Sequence, residues 1–368
     1  MIRKFLYILF VSIGTISVLL LLLAYLTPYI NPILAWYVAI IGLVYPIILL
    51  VNIILLFLSF FFKKKLFRYI LIIAILSGYT YHHRFFALHL KNKSNITTND
   101  IRILSYNVKT FDLYNWTHNT FSRKKIIHFI DSIAPDIICF QEYLTDDRNI
   151  INTTDTLSDL LNISHIHQFF PHKNLYFNFG MATFSRYPII KKKEIFFKES
   201  FNFALVSDIV KAPDTIRIFN CHLQSIHLGK KEYNLLDSIS NVANKQKIKE
   251  VTPLLKLLRK AYRKRAHQVK IIENAISSSP YPVIVCGNFN DPPNSYTYQI
   301  LSKNLYDSFL EAGNGFGCTY NKFIIPYRID FILYNDFFNA VYAQKFKIPY
   351  SDHFPYFTVL QKKEVLTN

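Results

Sequence analysis

Eight side chains in this sequence are of the types that handle phosphate and hard metal ions, and each stands at the end of an apolar run. Asn107 closes ILSYN, Glu142 closes DIICFQE, and His222 follows IFNC. Asn288 and Asn290 end VIVCGNFN, Asp330 opens RIDFIL, and Asp352 and His353 sit in SDHFP near the C-terminus. Taken singly, each has an ordinary reading: a turn asparagine, a solvated glutamate, a satisfied core histidine. Together they have a different sense, because charged groups are rarely buried unless paired or bound to metal. Carboxylates and amide oxygens are hard donors that suit Mg²⁺, which takes few protein ligands and keeps several waters. Histidines beside such an ion can donate to phosphate oxygens, and a carboxylate can fix the tautomer of one of them. Metal-assisted attack of water on a phosphoester fits this inventory. The sequence has no GxxxxGK[ST] loop, no HExxH and no GxSxG, so nucleotide-loop, zinc-protease and serine-hydrolase chemistries have no motif to rest on.

The elements that must present these residues are short apolar segments: IRILSYNV, DIICFQE, MATFSRY, TIRIFNCHL, PVIVCGNF and RIDFILYN. Rich in Ile, Val, Phe and Tyr, they read as buried strands. Between them, Phe121–Ile133 places Ile126, Ile130 and Ile133 on one helical face, and Ile248–Ser278 is a longer amphipathic stretch interrupted at Pro253. The pattern predicts an α/β or α+β domain with both faces of its sheet covered. Cys139, Cys221, Cys286 and Cys318 form no CxxC pair, and three of them lie inside the apolar runs, where cysteine acts as a small buried hydrophobe.

Charge divides the 368 residues at residue 100. No Asp or Glu precedes Asp100, and nine of the 42 Lys and Arg residues do, so the net charge of +18 is shared equally between the two parts. From Phe5 to Phe62 the chain has no charged residue, a run of 58. One span needs about 20 apolar residues, so this run predicts two membrane helices, about 5–27 and 33–62, separated by the TPYINP turn, with a third at about 66–84. A cleaved signal peptide is the alternative for the first, but no A-x-A-like site follows its core and a second apolar run comes at once. Arg3 and Lys4, and the Lys63–Lys65 and Arg68 group, place the N-terminus and the second loop in the cytoplasm. With three spans, a polar linker at 91–100 and the domain at 101–368 emerge on the far side, the periplasm in a bacterium with two membranes; without the third, the domain is cytoplasmic.

The seven segments ILSYNVKTFD, the QE of DIICFQEY, GMATFSRYP, NCHLQS, GNFNDPPNS, RIDFIL and SDHFP, in that order, resemble the endonuclease/exonuclease/phosphatase superfamily with the DNase I-like fold. The resemblance spans about residues 101–361. It implies a hydrolase built as a four-layer α/β sandwich, two packed β-sheets flanked by helices, which the apolar N-terminal segments make a membrane-anchored bacterial member. It implies Glu142 as the main Mg²⁺ ligand (or Mn²⁺), Asn107 beside it and Asp352 in support. By the same resemblance, His222 contacts the phosphate, Asn290 orients the phosphate or the attacking water, and His353, held by Asp330, stabilises the transition state. One departure stands out. The family segment GDFN is GNFN here, so Asn288 takes the place of the acid that positions or deprotonates water. An amide cannot accept that proton, which either lowers activity or shifts the base role to another group. Two readings follow: a metal-dependent phosphoesterase, and a family member that has lost catalysis and binds a phosphorylated ligand. The basic stretch Lys245–Lys270 suits a phosphate-rich partner, nucleic acid or anionic lipid headgroups, or is a solvated helix face.

Overall fold

The structure, a computed structural model, describes residues 2–62, 65–89, 96–119, 121–148, 151–226, 245–320 and 326–363. It divides into two compact units, Met1–Arg84 with Gln224–Val269 and Asp291–Ile300, and Phe85–Leu223 with Lys270–Asn290 and Leu301–Asn368. Lys63, Lys64 and residues 91–95 of the expected linker lie outside the described residues.

The first unit is helical. Helix α1 (Ile2–Leu26) is 25 residues long, about 37 Å at 1.5 Å per residue and enough for a hydrocarbon core of roughly 30 Å. It ends at Thr27 and Pro28. Helix α2 (Pro32–Leu43) starts with Pro32 at its first position and with the Asn31 side chain accepting from the Ile33 N–H at 2.9 Å. The single span expected at 33–62 is bent by 51° between α2 and α3 (Tyr45–Ser59). Pro46 explains the bend: it has no N–H for the Gly42 carbonyl four residues back. That carbonyl instead accepts from Asn294 Nδ2 at 3.0 Å. Buried Asn52 ties α3 to α1 by donating to Ser17 Oγ at 2.8 Å. The third expected span, 66–84, is two pieces, α4 (Leu66–Leu76) and α5 (Tyr79–His83), with a break at Ser77 and Gly78. At 11 residues α4 covers only about 16 Å. Arg68 caps α3, donating to Ser59 O at 2.9 Å. Among the described residues one helix is long and apolar enough to cross a membrane, and a second if the bent pair is one span.

The second unit is built on two six-stranded sheets. After a short β1 (Phe86–Ala87) come β2 (Ile101–Asn107), β3 (Ile137–Thr145), β4 (His165–Lys173), β5 (Asn178–Ser185), β6 (Ile189–Phe196), β7 (Phe203–Lys211) and β8 (Asp214–His222). Then follow β9 (Val283–Asn288), β10 (Tyr306–Asp307), β11 (Gly315–Phe316), β12 (Asp330–Tyr334), β13 (Phe338–Lys345) and β14 (Tyr356–Lys362). The strand orders are β13-β14-β2-β3-β5-β4 and β10-β12-β9-β8-β7-β6. Each sheet has one parallel pair, β2/β3 and β8/β9, because parallel neighbours need a helical crossover. Helix α6 (Ser122–Ile133) serves the first, α7 (Thr153–Leu161) covers the same sheet, and α8 (Lys245–Ser277) serves the second. Alternation assigns the two faces of β2 and β3: Ile101, Ile103, Ile137 and Cys139 meet Ile216, Ile218, Ile284 and Ile332 of the other sheet. Leu104, Tyr106, Ile138 and Phe140 face Ile126, Ile130 and Leu157 of α6 and α7. The expected two-sheet arrangement flanked by helices is what the chain forms.

Helix α8 runs on through Pro253, where an interruption was expected. The side chains of Lys245, Lys247 and Lys249 are not described. Lys256, Arg259 and Lys260 are exposed, but Arg265 is buried and paired with Asp291 at 3.1 Å. The stretch is therefore not a uniform solvated face. Its Leu254, Leu258 and Tyr262 pack on Ala39, Ile40 and Leu43 of α2.

Candidate active site

Strand pairing alone brings half of the chemistry together. In the second sheet His222 pairs with Asn288 across β8/β9, and Asn288 pairs with Asp330 across β9/β12. Residues opposite one another in register share a face, so a histidine, an amide and a carboxylate form one row about 5 Å apart. Gly287 lets the strands approach. Its φ is +130°, and a Cβ there would sit 2.0 Å from the Cys221 carbonyl oxygen. The expected crowding at the tip of β9 is present. Asn288 Oδ1 accepts from the Asn290 N–H at 2.9 Å, and Asn290, at φ +55°, donates from Nδ2 to Leu223 O at 2.8 Å.

Asp330 holds His353, with Oδ2 2.8 Å from Nδ1. Both are buried, and among the described residues Asp330 Oδ1 has no hydrogen-bond partner. Burial opposes a charge on His353, but the contact with Asp330 and the fields of Asp352 and Glu142 outweigh it and push its pKa up to about 9. The imidazole is thus a cation at neutral pH, ready to donate to an anion. Ser351 fixes this loop to the first sheet: its Oγ donates to Asn107 O at 2.8 Å and accepts from the His353 N–H at 3.2 Å.

The first sheet contributes Asn107 and Glu142 by a different device. Gln141 and Glu142 together oppose Met181, a β-bulge between Phe140 and Tyr143, and Glu142 has a φ of +48°. The bulge turns its carboxylate toward Asn107 Nδ2 at 2.9 Å and His222 Nε2 at 3.8 Å. Asn107 Oδ1 accepts from the Lys109 N–H at 3.0 Å, so its oxygen is engaged by backbone while its nitrogen orients Glu142. Asp352, expected in support of a metal, is ion-paired with the Lys109 ammonium.

The structure brings Asn107, Glu142, His222, Asn288, Asn290, Asp330, Asp352 and His353, all named from the sequence, to one end of the two sheets, and the sequence reading missed their supports. Lys109 is one. Others are Gln141, which donates to Asn220 Oδ1 at 2.7 Å, and Asn220, which donates to Ala182 O at 3.1 Å between the sheets. The signal for these was their place beside Glu142 and two residues before His222. Thr319 accepts from the Asp330 N–H at 3.1 Å, and Tyr320 lies 4.9 Å from the His353 ring. Cys139, Cys221 and Cys286 are buried, and burial pushes the Cys221 and Cys286 thiols far up, which makes them inert packing groups.

The donors fit a sparsely held hard ion. Glu142 is partly exposed, at 38% of its side chain, and Mg²⁺ needs only one or two carboxylates because it retains waters. Among the described residues no three His, Cys, Asp or Glu side chains form a fuller cage.

A model described as the Endonuclease/Exonuclease/phosphatase family matches residues 104–353. A second, described as a domain of unknown function (DUF8431), matches residues 3–85. A search of curated proteins finds no match. Among solved structures, an endonuclease/exonuclease/phosphatase from Beutenbergia cavernae is similar at 15% identity over 72% of each chain, with a TM-score of 0.50. TDP2 of D. rerio complexed with single-strand DNA product is similar at 14% identity over 72% of this chain and 99% of that one, TM-score 0.50. The human nocturnin catalytic domain with bound sulfate follows at 17% identity over 73% and 96%, TM-score 0.49. At these identities the first two speak for the fold alone.

Proposed function

Because the chain belongs to the endonuclease/exonuclease/phosphatase family, hydrolases of phosphoester bonds that typically need a divalent metal, we propose that it is a membrane-anchored, Mg²⁺-dependent phosphoesterase, with Mn²⁺ as the alternative ion. The observation that carries this reading is the Asp330–His353 pair, 2.8 Å apart, set in the row with Asn288 and His222 and facing Glu142. In it a buried imidazole held by a carboxylate lies in the field of Glu142, beside the amides of Asn107, Asn288 and Asn290.

Glu142, oriented by Asn107, holds the ion, which when bound neutralises charge on the phosphoryl group. His353, kept cationic by Asp330, donates to the phosphoryl oxygen that gains charge, an electrostatic role. His222 contacts a second phosphoryl oxygen. Asn290 and Asn288 orient the phosphate and the attacking water by hydrogen bonds. Asn288 takes no proton, so the rate is low for this arrangement of groups, because general-base assistance typically contributes about 10²–10⁴-fold.

Asn288 is also the observation that favours the second reading, a phosphate-ligand binder without turnover. The test is hydrolysis of bis(p-nitrophenyl) phosphate by the full chain in detergent with Mg²⁺, beside Glu142→Ala. Metal-dependent turnover that disappears in the variant supports the esterase. Retained binding of a phosphate diester without turnover in either form assigns the binder.

The apolar helix α1 and the bent pair α2 and α3 are proposed to seat the chain in the cytoplasmic membrane, with the catalytic unit outside the cytoplasm if α4 and α5 cross together. Exposed Lys256, Arg259 and Lys260 belong to the same compact unit as these helices. This favours anionic lipid headgroups over nucleic acid as the phosphate-rich partner. Co-sedimentation with phosphatidylglycerol vesicles, set against salt-dependent DNA binding, separates the two.

A further inference from the structure

Three carboxylates belong to the site, Asp330, Asp352 and Glu142, and they differ in what neutralises them. Asp330 has the His353 imidazole at 2.8 Å. Asp352 has the Lys109 ammonium. Glu142 has an amide, Asn107 Nδ2 at 2.9 Å, and the His222 ring at 3.8 Å. A site for two ions needs carboxylates enough to hold both about 3.5–4 Å apart. Among the described residues Glu142 is the one of the three with no cationic group within hydrogen-bond distance, His222 standing 3.8 Å away.

The placement of Lys109 is built in. Lys109, Thr110, Phe111 and Asp112 have φ values of +43°, +53°, +53° and +60°, a left-handed turn that non-glycine residues enter only when their surroundings enforce it. The turn is tied at its start, where the Lys109 N–H donates to Asn107 Oδ1. It carries the ammonium back to Asp352 and to within 5.3 Å of the Trp116 ring centre. The lysine side chain is 25% exposed and Asp352 only 8%, so the pair is largely withdrawn from water and its attraction only partly screened. A lysine ammonium is a compact point charge, of the kind that can stand where a metal ion otherwise neutralises a carboxylate.

We propose that Lys109 is the resident cation of Asp352, so that the site binds one divalent ion, at Glu142, and Asp352 is not a metal ligand. The proposal rests on the metal-dependent reading above. It makes Lys109 a positioning residue that fixes metal number, a role independent of turnover.

The test is a Mn²⁺ titration of the full chain in detergent, read by electron paramagnetic resonance and equilibrium dialysis. Wild type is expected to bind one Mn²⁺, Lys109→Arg one, and Glu142→Ala none. Lys109→Asp, which removes the ammonium and adds a carboxylate, is expected to bind two, with spin coupling between them. Lys109→Gln, nearly the same size, provides the check if the Asp variant fails to fold: it is expected to gain a second, weaker Mn²⁺. Two ions in wild type overturn the proposal and leave the metal-dependent reading intact. Stoichiometry fixed at one in both the Asp and the Gln variants also overturns it. No ion in wild type overturns the metal-dependent reading itself.

Discussion

The two sheets supply the site by opposite means. The β8-β9-β12 side delivers His222, Asn288 and Asp330 by regular pairing, each residue directly across from the next. The β2-β3 side delivers Glu142 and Lys109 by breaking regularity, through a bulge at Gln141 and Glu142 and a left-handed turn at 109–112. A row in register is held by the ladder itself. A bulge must be held by side chains, and here Gln141 and Asn220 between the sheets, with Asn107 above, do so. The regular side thus carries a histidine, an amide and a carboxylate at fixed spacing, and the irregular side carries Glu142, the carboxylate proposed to hold the metal.

Four experiments bear on that contrast. Glu142→Ala removes the carboxylate that the bulge exists to aim, and a loss of at least about 10³-fold in Mg²⁺-dependent kcat/KM is expected, beyond that of a single oxyanion donor. Retention of metal-dependent turnover would remove the irregular side from the chemistry. Gly287→Ala attacks the regular side. With a Cβ 2.0 Å from the Cys221 carbonyl oxygen at φ +130°, a loss of more than about 3 kcal/mol is expected, visible as a large fall in thermal midpoint; an unchanged midpoint would mean that the row is not set by close pairing.

The third experiment uses pH. His353 has a folded pKa raised to about 9 from the ordinary 6.5. Its charge therefore stabilises the fold fully below pH 6.5, and that stability is lost as pH rises through 9. The span is worth up to about 3 kcal/mol. Melting in EDTA between pH 6 and 9.5 is expected to show the decline, and His353→Asn to flatten it. The smallest effect is Asn288→Asp. The carboxylate keeps the acceptor for the Asn290 N–H and adds a base, so a gain of about 100-fold in turnover is expected, the low end of general-base assistance. A rate equal to or below wild type in the Asp form would show that the row has no use for a base at that position.

The legible and illegible residues follow the same division. Strand-end residues of the regular side could be read because each apolar run was bounded by polar groups, His222 and Asn288 at its end and Asp330 at its start, and pairing then aligned them. Glu142 was legible as a strand-end acid, but its bulge was not, since nothing in FQEY distinguishes a kinked strand from a straight one. Lys109 went unread because a lysine after a strand is ordinarily solvated; only the left-handed turn carries it to Asp352. Arg265 was read as part of a basic face and proved to be half of a buried pair with Asp291, a partner 26 residues away in sequence. The strands β4, β6 and β13 escaped notice because their burial is partial, and β7 and β14, though mostly buried, because Ser207 and Asp208, and Thr358 and Gln361, interrupt their apolar runs. The third apolar segment matched a span in composition, and the break at Ser77 and Gly78 divided it.

The helical unit has a practical consequence for anyone who would handle this protein without detergent. The change of composition near residue 90 invites a cut there, yet the compact unit that begins the chain also takes in Gln224–Val269 and Asp291–Ile300. A chain trimmed to residues 95–368 would uncover Leu254, Leu258 and Tyr262, deprive Asn294 of Thr27 and Gly42, and deprive Gln299 of Arg84. The segment just after the GNFN tip would lose its scaffold, and a sticky apolar stripe would face water. The apparent anchor is thus a folding partner for later parts of the same chain, and a soluble fragment that aggregates or sits idle says nothing about the enzyme it was cut from.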